Sequence, residues 1–196
     1  MKTLILNFYK YFLALLFTSV FITAQATEPR TGDIIFHRSQ ASQSSAIQLA
    51  TRSDYTHVGM IIYRDDKPYV IEAVQPVVAT PLNQWIKQGS NSDYVIKRLK
   101  NVDTLLTQVA QDKLNQEANR YLGKDYDWKF GWSDDKIYCS ELVWKVYQRA
   151  LGIELCQPKK LADYDLSSPV VKQEIARRYG TDVPFNELCR SAFRSF

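Results

Sequence analysis

The chain has 196 residues, 45% hydrophobic, 23% charged and 13% aromatic, with a formal net charge of +4. That length suits one domain with a sizeable core, and the composition excludes collagen, coiled coil and a disordered chain. The charge is too small, and its basic residues too scattered, for a nucleic-acid partner to be expected.

Met1 to Ala26 stands apart from the rest. Lys2 and Lys10 precede an apolar run from Tyr11 to Thr23, and Ala24-Gln25-Ala26 is the small-x-small pattern cut by signal peptidase. The run is shorter than the ~20 residues that span a bilayer. Cleavage after Ala26 is expected, leaving residues 27–196 as a single domain in the periplasm or medium of a Gram-negative cell. Cleavage removes two lysines and no acids, lowering the net charge by two. No later stretch is long and apolar enough to cross a membrane, so no span is expected after cleavage.

Residues 28–33 read as a turn-rich lead, and Asp33 to Phe36 as a first strand. Ser39 to Thr51 suits a helix with a serine cap. His57 to Tyr63 and Tyr69 to Val74 are β-rich runs around the polar turn Arg64 to Pro68, an antiparallel hairpin. Pro81 to Gln88 reads as a short helix with Trp85 and Ile86 inward, and Asp93 to Leu99 alternates like a strand. Thr104 to Leu122 has the spacing of one amphipathic helix stopped by Gly123. Lys124 to Lys136 is an aromatic loop. Cys139 to Leu151 is a second amphipathic helix ended by Gly152, and Pro169 to Tyr179 a last one. Strands followed by helices make an α+β domain.

Tyr138-Cys139-Ser140-Glu141 is the most unusual stretch. A cysteine there opens a helix, where unpaired N–H groups favour a thiolate and can hold an oxyanion. A small buried cap is the plainer reading. A thiolate nucleophile needs a base, and the chain has two histidines. His57 begins a strand, which holds an imidazole rigidly, and Gly59 leaves space on the same face. His37, beside Arg38, reads as a surface or edge residue. The imidazole needs an orienting partner. Glu72 lies inside the apolar run Val70-Ile71-Glu72-Ala73-Val74, where a lone carboxylate is costly unless paired. A turn centred at 64–65 sets it nearly across from His57, whereas a turn centred on Asp66-Lys67 needs a bulge to restore the match. Asp54 is the reserve.

Six aromatics, counting both ends, lie from Tyr121 to Tyr138. Trp128, Trp132 and Tyr138 are the candidates for a substrate cleft, the others for pinning the loop. Asp134 and Asp135 read as turn caps. Cys156 and Cys189 form a possible disulfide, leaving Cys139 as the odd thiol. No metal-ligand spacing or Gly-rich phosphate loop is found, so no metal or cofactor is expected.

Gly32-Asp33-Ile34-Ile35, Ser53-Asp54-Tyr55-Thr56-His57-Val58-Gly59-Met60, Val70-Ile71-Glu72-Ala73 and Tyr138-Cys139-Ser140-Glu141 together resemble the YiiX/YebB-like group of the circularly permuted NlpC superfamily of papain-like cysteine hydrolases. The resemblance spans roughly residues 30–180. It implies a circularly permuted papain-like fold, a small antiparallel sheet packed against helices that include the nucleophile helix. It implies Cys139 as nucleophile, His57 as base and Glu72 as third member. The expected substrate is an amide or ester of the cell envelope, whether peptide, peptidoglycan stem or lipid. An acyltransferase acting on lipid acyl groups and an inactive binding module are the rival readings.

Overall fold

The computed structural model describes residues 28–157, 159–186 and 188–189; the expected signal segment lies outside them. Five strands form one antiparallel sheet: β1 (Ile34–Ser39), β2 (His57–Arg64), β3 (Lys67–Glu72), β4 (Val78–Pro81) and β5 (Gly89–Lys97), in the order β4-β3-β2-β1-β5. The helices are α1 (Ser44–Thr51), α2 (Leu82–Gln88), α3 (Val102–Leu105), α4 (Gln108–Asn119), α5 (Cys139–Leu151) and α6 (Pro169–Tyr179). A parallel pair, β6 (Asp125–Tyr126) and β7 (Lys136–Ile137), brackets the aromatic loop, and β8 (Lys159–Lys160) pairs with β9 (Leu188–Cys189). This is the expected α+β architecture.

β2 reads as a continuous apolar run because both faces of this central strand are covered. Val58, Met60 and Ile62 join the main core with Leu114, Leu142, Val143 and Val146, under α4 and α5. Ile61 points the other way, into a smaller cluster with Ile35, Val70 and Trp85. Trp85 is fully buried, so the α2 expectation held for it. Gly32 adopts φ +89°, and an added Cβ would stand 2.8 Å from Leu106 and 2.9 Å from the Tyr147 hydroxyl. This close approach seats the start of β1 on α5. Next to it the buried Asp33 carboxylate accepts from Arg98 Nε at 2.6 Å and Nη2 at 2.7 Å.

Four expectations needed correction. The first helix starts at Ser44 rather than Ser39, with Gln43 at its cap and no side-chain cap bond. The single helix over 104–122 is two: the chain breaks at Leu106, and Thr107 starts α4 by accepting from the Ala110 N–H at 3.4 Å. Periodicity alone cannot see such a cap, because apolar spacing continues through it. Strand β4 went unread, and β5 starts four residues earlier than expected. His37 is not a surface residue: it is 2% exposed.

Candidate active site

The hairpin sets the geometry. Asp65 and Asp66 take φ of 47° and 57°, the left-handed conformation of a two-residue hairpin turn. The resulting register runs from Arg64↔Lys67 to Met60↔Ile71. Continued by one residue, it sets Glu72 level with Gly59 rather than with His57. The turn falls between the two that the sequence left open, and the pairing is diagonal. It succeeds because position 59 has no side chain. A Cβ there would stand 2.3 Å from Val70 Cγ1, 2.8 Å from the Ile71 carbonyl and 3.6 Å from Glu72 Cβ.

Across that gap Glu72 Oε2 meets His57 Nε2 at 2.6 Å. Glu72 is 1% exposed. It also accepts from Thr80 Oγ1 at 2.6 Å and Trp85 Nε1 at 3.0 Å. Burial alone would raise its pKa, but His57, Thr80 and Trp85 outweigh that and lower it. Neither Thr80 nor Trp85 was read as part of the site. Asp54 lies at the surface beside Arg38, 3.4 Å away.

Cys139 is the first residue of α5, buried, after an extended Tyr138. The Tyr138 N–H donates to Glu141 Oε2 at 3.3 Å, which fixes the helix start. Because α5 packs on β2, the thiol comes within hydrogen-bonding reach of His57. With Nε2 committed to Glu72, Nδ1 is the ring nitrogen left for the sulfur. Burial would lower the imidazole pKa, but hydrogen bonds and charge from Cys139 and Glu72 push it up to about 10. The imidazolium is thereby favoured between two acidic groups.

Two cavities open from this point. The first, with about 730 Å³ of empty space including its open mouth, borders Cys139 and has an almost wholly apolar exposed wall. Ala46, Ile47, Phe130, Tyr138, Val171 and Ile175 build it from α1, α6 and the aromatic loop. The second, of about 760 Å³ on the same measure, borders His57 and Glu72 and is more polar. Tyr126, Gln43 and Trp128 also line it. Gln43 Oε1 accepts from Arg178 at 2.7 Å, and its amide hydrogen-bonds the Tyr126 hydroxyl. The Tyr126 pKa is raised, first by burial and next by the nearby Cys139, so the phenol keeps its proton.

The aromatic candidates thus separate. Tyr138 lines the first cavity and Trp128, 53% exposed, the second. Trp132 lines neither: its ring packs 5.3 Å from Trp144 with Lys145 Nζ 4.8 Å away. Asp134 is no simple cap, since it pairs with Lys145 at 2.8 Å and Arg149 at 2.7 Å. Gln43 carried no signal in the sequence. Tyr126 was visible only as one of six loop aromatics. The Cys189 side chain lies outside the described residues, and with it the expected pairing to Cys156. Among the described residues no three His, Cys, Asp or Glu side chains gather for a metal ion.

Comparison with known proteins adds three findings. A family model described as a permuted papain-like amidase enzyme, YaeF/YiiX, C92 family, matches residues 28–192. The uncharacterized protein YiiX of Escherichia coli K12 is 54% identical over 168 residues, 86% of this chain and 82% of that protein. A crystal structure described as metalloprotein YiiX, DUF1105, from Escherichia coli O157:H7 matches with a TM-score of 0.81 at 52% identity. It covers 85% of this chain and 93% of its own.

Proposed function

The chain belongs to the permuted papain-like amidase family, and from that premise we propose an exported cysteine hydrolase that cleaves an amide or ester through a thioester on Cys139. One observation carries this reading: a helix-opening thiol in hydrogen-bonding reach of an imidazole whose other nitrogen is held by a buried carboxylate at 2.6 Å. With the thiol proton on His57, the sulfur attacks the carbonyl carbon. The Cys139 N–H at the head of α5 and the Tyr126 hydroxyl are suited to hold the oxyanion. His57 gives its proton to the leaving atom, then takes one from the water that releases the acid. Glu72 fixes the ring plane and stabilises its charge.

The apolar wall beside Cys139 favours an apolar acyl group in an envelope substrate. The related crystal structure is described as a metalloprotein. The donor set here gathers no three-ligand group among the described residues, so no step is routed through a metal. Acyl transfer to an alcohol or amine is the second reading, favoured by the separate cavity at His57, where such an acceptor has room in place of water. Signal cleavage after Ala26 sets where the reaction occurs. The mechanism is tested by incubating the protein with envelope extract, quenching in acid and weighing the intact chain. An acyl adduct on the wild type and none on Cys139→Ala is expected. The same adduct on Cys139→Ala would remove the mechanism.

A further inference from the structure

The pair Cys139–His57 divides the cleft into unlike halves. The more apolar cavity borders Cys139 but not His57, and the second, still mainly apolar but with more polar wall, borders His57 and Glu72 but not Cys139. In acyl transfer the carbonyl carbon ends on sulfur, so the acyl part lies on the cysteine side. The departing nitrogen or oxygen takes its proton from the imidazole, so it leaves on the histidine side. The second cavity is therefore the exit for the leaving group, and its walls limit what that group is. Ser39, Gln40 and Gln88 supply neutral donors and acceptors, the Gln75 amide being taken up by Asp125 and the Tyr126 N–H, and Trp128 supplies an exposed ring. No lysine, arginine or aspartate lines it. Its two charged groups are already engaged: Glu72 by His57, Thr80 and Trp85, and the His57 imidazolium by Glu72 and Cys139. An ionic head group would find no free opposite charge there.

His37 is an independent pointer. It faces His57 in the β1–β2 register, with ring centroids 5.2 Å apart, and its ring lies 4.1 Å from that of Trp85. It is 2% exposed, lines this second cavity, and neither ring nitrogen has a hydrogen-bond partner. A buried polar group in that condition costs free energy until something satisfies it. Burial first, and the charge of His57 second, lower its pKa to about 4, so the ring is neutral near pH 7 with one donor and one acceptor. Gly89 packs against it so closely that a Cβ would stand 2.6 Å from Nδ1. Gln40 and Gln88, at the same wall, are exposed.

We propose that this cavity is the leaving-group subsite and that it takes a neutral amine or alcohol bearing hydroxyl or amide groups, hydrogen-bonded from its floor by His37. The inference rests on the acylation of Cys139. As the carbon–sulfur bond forms, the carbon–nitrogen or carbon–oxygen bond breaks, and the His57 proton goes to the departing atom. No oxidant or reductant is involved.

The test is a panel with one dodecanoyl chain and four leaving groups: serinol (neutral, two hydroxyls), a trimethylammonium amine, taurine, and p-nitrophenol. Acylation of Cys139 is followed by intact mass in single turnover. The serinol amide is expected to acylate about tenfold faster than either charged amide, the worth of one hydrogen bond. His37→Phe is expected to slow the serinol amide about fivefold more than the p-nitrophenyl ester. A charged amide that matches the serinol amide overturns the proposal, as does an equal loss on both substrates in His37→Phe. If that variant does not fold, the wild-type panel decides alone. A wild type that gains no acyl group even from the p-nitrophenyl ester would instead refute the acylation of Cys139 and the inference with it.

Discussion

The molecule buries two glutamates close to Cys139 and treats them oppositely. Glu72, on the sheet, receives three side-chain donors and its pKa is lowered. Glu141, on the nucleophile helix, is fully buried with Lys145 Nζ at 2.7 Å and the Tyr138 N–H at 3.3 Å, and burial raises its pKa to about 7. The difference lies in what each carboxylate reaches. Glu72 ends on the imidazole that faces the sulfur. Glu141 ends on Lys145, which goes on to Asp134 and to the Ser133 carbonyl, and so ties the aromatic loop to α5. A buried carboxylate two residues from Cys139 is therefore not by that fact part of the chemistry: in the proposed mechanism one glutamate orients a base, while the other anchors a loop.

Substitutions sharpen that contrast, and the largest effect belongs to the residues Glu72 serves. Cys139→Ala and His57→Ala should each lower turnover by about 10³-fold or more, measured as kcat/KM on a p-nitrophenyl ester. Glu72→Gln should follow with a loss of about 10²-fold in kcat. Glu141→Gln should leave kcat far closer to wild type, and a loss as large as that of Glu72→Gln would erase the distinction. Gly59→Ala comes next. Its Cβ has no room beside Val70 and the Ile71 carbonyl, so thermal unfolding should report a loss of about 1–3 kcal/mol, with activity falling as Glu72 is pushed away.

The smallest expected effect is on the pH dependence of stability, where the two carboxylates have opposite signs. Glu72, lowered from 4.5, contributes stability that is present above pH 4.5 and lost as pH falls through its folded value. Glu141, raised from 4.5 to about 7, binds its proton more tightly in the folded chain, so it takes stability away as pH rises across that interval. Glu141→Gln should flatten the fall in Tm between those two values, and Glu72→Gln should flatten the rise at acid pH. The reverse assignment of slopes would contradict the comparison.

Much of this was legible in the residues. Period-2 runs around a polar turn placed the hairpin, and apolar spacing with Gly152 placed α5. A carboxylate inside an apolar run demanded a partner, and Cys139 at a helix start suggested a thiolate. The exact register was not legible, since it depended on Asp65-Asp66 accepting left-handed φ and on Gly59 making a diagonal contact possible. Thr80, Trp85, Gln43 and Tyr126 escaped because each reaches the site across the sheet or between helices, and such long-range contacts leave no local pattern. His37 escaped for a related reason. Beside Arg38 it looked like an edge residue, yet α2 and Gly89 close over it.

The most direct test of the central unit uses no substrate. The chain has two histidines, so its imidazole signals in NMR are few and assignable. In the wild type His57 should titrate far above 6.5, toward about 10, with His37 near 4 as the internal contrast. In Cys139→Ala the His57 value should fall by more than one unit, because the sulfur supplies much of what raises it. A His57 that titrates near 6.5 in both proteins would mean that thiol and imidazole do not act on each other, and the account of this site would fail.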